Sequence, residues 1–364
     1  MKMASLCAAL ALLSALPASA DAPPRYTLTA LPLTFYSLSG RGSGLNNRGQ
    51  VVGVTGAYDL QRQVDAPPLL RLALWQRGRR LRLLVSAQEQ AWAGRNSTAA
   101  AINDRGEVVG NFQIISSGAW TYTGSNSFRW ASGHLAIIPG LPGDDYWAVI
   151  GLNNRGDAVG TSNKNIRGDL TAEMPPGTDA DAPHAFVSSR GKTTWLGIGV
   201  ANGINDRGQI VGASGGMAVL WQNGVRKTLG EGEASAINAH GLVVGTCGLA
   251  SRQRDSTRAC LWQNRRQVIL SRLPSHASAV NSRGQVVGRA DVAVPGDAQD
   301  SHAVLWRRGQ EYDLNRCVRL PKGWTLTEAT GINDQGWIIG EGYVNPEPNS
   351  SPLGRQFTFL LTPH

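Results

Sequence analysis

One eight-residue phrase, Asn-x-x-Gly-x-x-(Val/Ile)-Gly, recurs seven times along this chain of 364 residues. Successive copies lie 33 to 57 residues apart, which is long enough for one small supersecondary unit and too short for a domain. The copies begin at Asn46, Asn103, Asn153, Asn205, Asn238, Asn281 and Asn333. The sequence therefore predicts an array of seven similar units.

Each copy of the phrase predicts a tight hairpin turn. The asparagine side chain can bond its own backbone two residues on, and the glycine three positions later can adopt a positive φ. The unit with the fewest insertions, residues 201–238, contains four short strand-like runs separated by turn residues. No helical period competes with this pattern. The asparagines are thus predicted to be structural turn residues in a four-stranded meander.

The number of strands indicates how the array ends. Seven units have the aromatic third strand, but only six have a fourth strand. Residues 25–31 form a strand-like run before the first asparagine and belong to no unit. If this run completes the last unit, it closes a ring and removes the free sheet edges. We therefore predict an all-β, closed β-propeller of seven blades with about four antiparallel strands each. An open β-solenoid is the alternative.

The repeats resemble a family of bacterial exported proteins built of HAF repeats, named for a His-Ala-Phe tripeptide. His184-Ala185-Phe186 matches the tripeptide in full and His302-Ala303-Val304 in part, and Ile204 to Gly212 reproduces the asparagine phrase of the family. The resemblance covers nearly the whole mature chain, and it implies export and a repeat fold. The family has no agreed chemistry, so it supplies no catalytic residues.

The N-terminus is typical of an export signal. Lys2 precedes an apolar run over residues 4–16, and Ala18 and Ala20 are the small residues that a signal peptidase reads. The run is too short to span a bilayer of about 30 Å. We expect residues 1–20 to be a signal peptide and residues 21–364 to form a single repeat domain. The protein is then periplasmic or extracellular, with no membrane span.

The formal charge of +9 bears on the choice of partner. Export argues against nucleic acid, and the cations are mostly scattered arginines rather than a basic run. A basic exterior still attracts anionic polymers over long range. An anionic glycan or a protein is therefore the expected partner, and we expect a monomer.

Two chemical motifs favour structural interpretations. Gly212-Ala213-Ser214-Gly215-Gly216 matches the Gly-x-Ser-x-Gly string of serine hydrolases, but that string requires a strand-to-helix turn that an all-β repeat lacks. The six histidines are dispersed and show no metal-ligand spacing. The sequence predicts no catalytic residue, no metal and no cofactor.

Three cysteines remain after signal removal. An oxidising compartment favours their pairing. Cys247 and Cys260 are expected on neighbouring strands of the fifth unit, so they are the candidate disulfide, and Cys317 is left over. Free buried thiols are the alternative.

The long connections are all predicted on one face of the ring, opposite the asparagine turns, and long loops on a rigid scaffold commonly bind ligands. The candidate ligand-binding residues there are Trp92, Asp144, Asp145, Tyr146, Trp147, Arg252, Arg254 and Trp324. For the adjacent carboxylates 144–145, a solvated loop is the interpretation that we favour over acid/base work.

Three functions stay open at this point. We favour a non-enzymatic exported protein that binds a protein or glycan through the long-loop face. The alternatives are a propeller enzyme acting on glycans, as a hydrolase or lyase, and a structural surface or matrix protein. Carboxylates clustered with a His or Arg at one axial mouth indicate the enzyme, whereas a flat aromatic face indicates binding.

Overall fold

The structure is a computed structural model that describes eleven stretches of the chain. They are residues 22–31, 44–55, 71–77, 82–84, 96–115, 122–163, 182–248, 257–263, 266–292, 300–345 and 355–364. Their strands form seven antiparallel four-stranded blades arranged as a β-propeller, and one parallel bridge between Tyr146 and Ser125 joins blades 2 and 3 into a single eight-stranded sheet. The all-β, seven-bladed prediction is confirmed. No helix in these stretches is long and apolar enough to cross a membrane.

The first strand, β1 (Tyr26–Leu31), lies outside the run of consecutive blades. Blade 1 contains β2 (Gly44–Leu45), β3 (Gln50–Thr55), β4 (Arg71–Gln76) and β5 (Arg82–Leu83). Blade 2 contains β6 (Asn96–Ile102), β7 (Val108–Ile115), β8 (Tyr122–Ala131) and β9 (His134–Ile138). Blade 3 contains β10 (Tyr146–Leu152), β11 (Ala158–Asn163), β12 (His184–Ser189) and β13 (Lys192–Ile198).

Blade 4 contains β14 (Val200–Ile204), β15 (Ile210–Ser214), β16 (Met217–Gln222) and β17 (Val225–Glu231). Blade 5 contains β18 (Glu233–Ile237), β19 (Val243–Cys247), β20 (Arg258–Gln263) and β21 (Arg266–Ile269). Blade 6 contains β22 (Ser275–Val280), β23 (Val286–Val292), β24 (Asp300–Arg307) and β25 (Gln310–Asp313), followed by a 3-10 turn at Leu314–Arg316. Blade 7 contains β26 (Trp324–Ile332), β27 (Ile338–Val344) and β28 (Arg355–Pro363).

The N-terminal strand closes the ring as the strand count predicted. β1 is the fourth strand of blade 7, antiparallel to β28, with Tyr26 opposite Pro363 and Leu31 opposite Thr358. The Tyr26 amide also donates to the Cys317 carbonyl at 3.0 Å, which ties the strand to the end of blade 6. The two ends of the chain are therefore held in one sheet, in which β28 is paired on both sides and β1 is the outer strand.

The seven motif asparagines form a closed ring of hydrogen bonds between blades. Each Nδ2 donates to the backbone carbonyl of the asparagine in the next blade, and Asn333 donates to Asn46 and completes the circle. The seven distances lie between 2.9 and 3.1 Å. All seven side chains are buried. The turn predicted from the sequence is thus also the joint between blades.

The other end of each asparagine side chain holds its own turn. In blade 4, the Asn205 Oδ1 accepts from the amides of Arg207 at 3.0 Å and Gln209 at 3.1 Å. Gly208 has a φ of +74°, the left-handed conformation expected of the first motif glycine. The same two bonds occur in all seven turns.

The residue after the asparagine adds further bonds between blades, which the sequence did not indicate. Asp104 accepts the Asn47 amide at 2.7 Å, and Asp206 accepts the Asn154 amide at 2.7 Å. Asp334 does the same for Ser282 at 2.8 Å. These turns therefore differ from one another in the side chains that link neighbouring blades.

The second motif glycine is required by a close approach. The innermost strand has a β-bulge three residues before the asparagine, as at Ser278, where the register shifts between Ala277 and Ala279. The carbonyl of His276 is thereby pushed against Gly288, and a Cβ at that glycine would overlap it. The equivalent overlap occurs in blades 2 to 7. No other residue fits there without moving the inner strand.

Side chains of the middle strands fill the space between blades. The third strand places a small, fully buried residue against its neighbours, namely Ala73, Ala185, Ala218, Ala259 and Ala303. In four blades it ends on a buried tryptophan, namely Trp130, Trp221, Trp262 and Trp306. In blade 5, Cys247 and Cys260 form the disulfide expected from the sequence, with a Cα–Cα distance of 5.8 Å, and Cys317 is free and buried.

We predict that Asn281→Ala destabilises the ring strongly. The change leaves the part-buried amides of Arg283 and Gln285 and the buried carbonyl of Asn333 without their partners. Each buried unsatisfied group costs about 1–3 kcal/mol, so we expect a loss on the order of 3 kcal/mol in the free energy of unfolding. Urea denaturation measures it. Ser282→Ala, one residue away, is the control and should change stability by less than about 0.5 kcal/mol.

We also predict that deleting residues 25–31 abolishes cooperative unfolding or causes aggregation. The deletion exposes the edge of β28 and uncovers the apolar side of the last blade. Size-exclusion chromatography and a thermal melt measure the outcome. A truncated chain that stays monomeric with an unchanged melting temperature would contradict ring closure by β1.

Candidate functional site

The position five residues before each motif asparagine breaks the sevenfold repeat. It lies on the innermost strand, near the end that faces away from the asparagine turns. In the six blades where it is described, the residues are Thr98, Ala148, Val200, Glu233, His276 and Glu328. Blades 2 to 4 thus have uncharged residues there, whereas blades 5 to 7 have Glu, His and Glu. Ionisable side chains at this position therefore lie on one side of the ring.

The bulge position, three residues before each asparagine, follows the same division. Its described residues are Ala100, Ile150, Asn202, Ser235, Ser278 and Thr330. Blades 2 and 3 have apolar side chains there, and blades 4 to 7 have hydrogen-bonding ones. Polar bulge residues thus stand next to the ionisable residues of blades 5 to 7.

His276 of blade 6 lies between the two neighbouring blades. Its Nε2 is 3.1 Å from the Ser235 Oγ of blade 5. Its Nδ1 is 3.1 Å from the Ser278 Oγ and 3.8 Å from the Glu328 Oε1 of blade 7. The last distance is too long for a direct hydrogen bond. Ser278 bridges it, because its hydroxyl donates to Glu328 at 3.2 Å. The side chains of His276 and Glu328 are each 26% exposed.

Glu328 is held in its ionised form. Burial by itself raises the pKa of this carboxyl, but the neighbouring His276, the charge of Arg289 and the Ser278 hydroxyl outweigh burial and lower the pKa below its usual value. The Ser278 bond and the 3.8 Å approach of His276 are visible in the geometry. Glu328 is therefore an acceptor and a negative charge at neutral pH.

Glu341 has the opposite tendency. It lies on β27 directly across from Glu328. Burial, and then the charge of Glu328, raise the pKa of Glu341 to about 7. The two carboxyls of this cross-strand pair therefore titrate far apart. Glu341 can donate or accept a proton near neutral pH, which Glu328 cannot.

Arg289 is the cation of the cluster. It is the cross-strand partner of His276 on β23 and is half-buried. Its charge contributes to the low pKa of Glu328. Among the described residues, its guanidinium makes no hydrogen bond. Glu233, the third carboxylate of this side, accepts from the Asn202 amide at 2.8 Å.

The adjacent acidic pair predicted as a candidate site lies in blade 3, away from this cluster, and its two members differ. Asp144 is buried and accepts from the Ser162 hydroxyl, and it is 2.9 Å from the His184 Nδ1. Asp145 is exposed. The solvated-loop interpretation thus holds for Asp145 and not for Asp144. The pairing of Asp144 also gives the histidine of the His-Ala-Phe tripeptide a structural partner.

The predicted aromatic anchors that the structure describes are half-buried rather than fully exposed. Trp147 donates from Nε1 to the Ile138 carbonyl at 2.8 Å and packs beside Gly140. Tyr146 is half-buried beside it. Trp324 is half-buried against Phe357, with ring centroids 4.2 Å apart, four residues before Glu328 on β26. Trp92, Arg252 and Arg254 lie outside the described residues. A ligand-binding role for these candidates stays a prediction.

The Gly-x-Ser-x-Gly string occupies a β-hairpin. Ser214 ends β15, and its hydroxyl donates to the Ile198 carbonyl at 2.7 Å, so it has no histidine partner. Within the described stretches, no group of three or more His, Cys, Asp or Glu side chains is arranged to hold a metal ion.

Sequence reasoning missed the cluster of blades 5 to 7. His276 is one of the six histidines interpreted as dispersed, and no sequence motif points to Glu328 or Glu341. Aligning the seven units on their asparagines would have shown Glu233, His276 and Glu328 in the same column. That departure from repeat symmetry was the available signal.

No protein-family model and no curated protein matches the chain. Among solved structures, it is similar to a Pyrococcus horikoshii acylaminoacyl peptidase at 12% identity and a TM-score of 0.49, covering 86% of this chain and 51% of that one. The chain thus spans about half the length of that peptidase. A Xanthomonas campestris gluconolactonase matches at 12% identity and a TM-score of 0.40, covering 94% of this chain and 95% of that one. These similarities are too weak to carry an argument about activity.

We predict that Glu341→Gln changes how stability depends on pH. The folded pKa of about 7 lies above the usual value for Glu, so between these two values the folded state binds more protons than the unfolded state. Stability therefore falls as pH rises through this window, by about 1.4 kcal/mol for each unit of pKa difference. The variant lacks this loss and should be the more stable protein at pH 8, with the difference shrinking towards pH 4.

Denaturation at a series of pH values measures the effect. Glu231→Gln, which removes an exposed carboxylate from the end of β17, is the control and should follow the original protein. Parallel curves for Glu341→Gln and the original protein would show that Glu341 titrates normally.

Proposed function

We propose that the protein is a hydrolase that acts on a glycan through the polar side of the ring in blades 5 to 7. The observation that carries this proposal is the cross-strand pair Glu328 and Glu341, whose pKa values are pushed apart. When the pKa values of two neighbouring carboxyls differ in this way, the pair supplies one ionised group and one proton carrier at the same pH. His276 and Arg289 stand beside the pair.

The arrangement supplies the side chains named in the criterion that separates the two main sequence hypotheses. Carboxylates clustered with a His and an Arg favour the enzyme, which was the alternative, over the non-enzymatic binding protein. A glycan is the proposed substrate because carboxyl pairs are the usual catalytic groups of glycan hydrolysis and because the charge of +9 attracts anionic polymers. We further propose export to the periplasm or beyond, where such polymers occur.

The mature chain, residues 21–364, should be incubated with neutral and anionic polysaccharides in natively acylated and de-acylated forms. Reducing ends report glycosidic cleavage, released acid reports ester cleavage, and ultraviolet absorbance of an unsaturated sugar reports a lyase. We expect a hydrolytic product, and a glycosidic product should form at a rate that falls as pH rises through about 7, where Glu341 loses its proton.

Glu341→Gln should slow glycosidic cleavage by about 100-fold or more, the usual contribution of a proton-transfer group. Thr161→Val is the matched control, because Thr161 occupies the same repeat position in blade 3 and should leave the rate unchanged. Saturable binding without turnover would contradict the hydrolase and support the non-enzymatic binding protein.

A further inference from the structure

The hydrogen-bond chain from Ser235 through His276 and Ser278 to Glu328 has a fixed direction. We infer that Ser235 is the nucleophile of this site, that His276 is its general base, and that the bond cleaved is an ester carried by the glycan. The inference rests on the proposed hydrolase and names its reaction. It assigns a role to two serines and a histidine that the carboxylate pair leaves unexplained.

The direction follows from counting protons. An ionised carboxylate only accepts, so the single proton of the Ser278 hydroxyl goes to the Glu328 Oε1. The Ser278 oxygen must then accept from His276, which places a hydrogen on Nδ1. In a neutral imidazole the other nitrogen is unprotonated, so Nε2 accepts the hydrogen of the Ser235 hydroxyl. In the neutral form of His276 the serine proton thus points at a base.

The geometry satisfies the general signature of an activated nucleophile. The Ser235 Oγ to His276 Nε2 distance of 3.1 Å lies within the range of about 2.6–3.2 Å for a nucleophile and its base. The base is in turn oriented by a third group, here Ser278 backed by Glu328. The arrangement of a nucleophile, a base and a third group that orients the base occurs in three unrelated folds with different chain orders. Such a site is therefore recognised by its geometry and not by a sequence motif.

The scaffold holds these groups at fixed positions. Ser235, His276 and Glu328 come from the inner strands of three consecutive blades, and the asparagine bonds of those blades join Asn238 to Asn281 and Asn281 to Asn333. Ser235 is 3% exposed, whereas the His276 side chain is 26% exposed. The serine hydroxyl therefore lies in a water-poor environment, where electrostatic interactions are stronger.

The type of bond follows from the nucleophile. The Ser235 Oγ attacks an electrophilic carbonyl carbon, and on an O-acylated glycan the ester substituents supply one that is more electrophilic than the carbonyl of an N-acyl amide. A new C–O bond forms and the serine proton moves to the His276 Nε2. When the tetrahedral intermediate collapses, the ester C–O bond breaks and the sugar oxygen takes that proton. Water then attacks the acyl-serine with His276 as base, and the products are a carboxylic acid and a free sugar hydroxyl.

The experiment labels the mature protein with a fluorophosphonate, which forms a covalent bond with activated serines and requires no knowledge of the substrate. We expect one adduct per chain, mapped to Ser235 by peptide mass. Ser235→Ala should abolish labelling, and His276→Asn should slow it by about 100-fold or more. Ser214→Ala is the control, because Ser214 sits in the Gly-x-Ser-x-Gly string, and it should label like the original protein. Thermal melts of each variant establish that it is folded.

The outcomes separate this inference from the proposed function. An adduct at Ser235 together with release of acid from an acylated glycan supports both. An adduct at Ser235 without turnover of any glycan supports the nucleophile and contradicts the glycan substrate. Glycosidic cleavage that persists in Ser235→Ala, with no adduct, overturns the inference and leaves the hydrolase standing. No adduct at Ser235 and no turnover overturn both.

Discussion

The hydrogen bond from each motif asparagine to the next motif asparagine is the interaction on which the propeller depends. The same side chain accepts two amides of its own turn and donates to the carbonyl of the following blade. Folding of a turn and docking of two blades therefore use one residue. Because the last donor, Asn333, reaches Asn46 across 287 positions of sequence, the bonds close on themselves and no blade can be moved without breaking two of them.

This ring allows the site to differ from the rest of the fold. The asparagines, the two glycines and the bulge fix the path of each inner strand, so the residue five positions earlier is free to vary without changing that path. Blades 2 to 4 use the position for uncharged residues, and blades 5 to 7 use it for Glu233, His276 and Glu328. Ionisable side chains are thus placed on one side of an otherwise symmetric fold. The energetic cost of these substitutions falls on Glu341, because its surroundings disfavour the ionised form of that carboxyl.

The sequence was sufficient for the architecture because each of its signals is local or repeated. The asparagine phrase gave the number of blades, and the spare strand at residues 25–31 gave the closure. The bonds of Asp104 and Asp206 were not predictable in the same way, because they join residues 50 or more positions apart whose proximity exists only once the ring is closed. The site was missed for the same reason. Ser235 and His276 are 41 residues apart, and the separate titration of Glu328 and Glu341 depends on burial that no single strand reveals.

Native-state hydrogen exchange of the amides that donate to the asparagine side chains tests the central claim most directly. These are the amides of Gln50, Glu107, Asp157, Gln209, Leu242, Gln285 and Trp337. A closed ring predicts that all seven exchange with one free energy, equal to that of global unfolding, since opening any joint breaks the circle. Exchange blade by blade, with separate and lower free energies, would show that the asparagine bonds do not hold the propeller together as a unit.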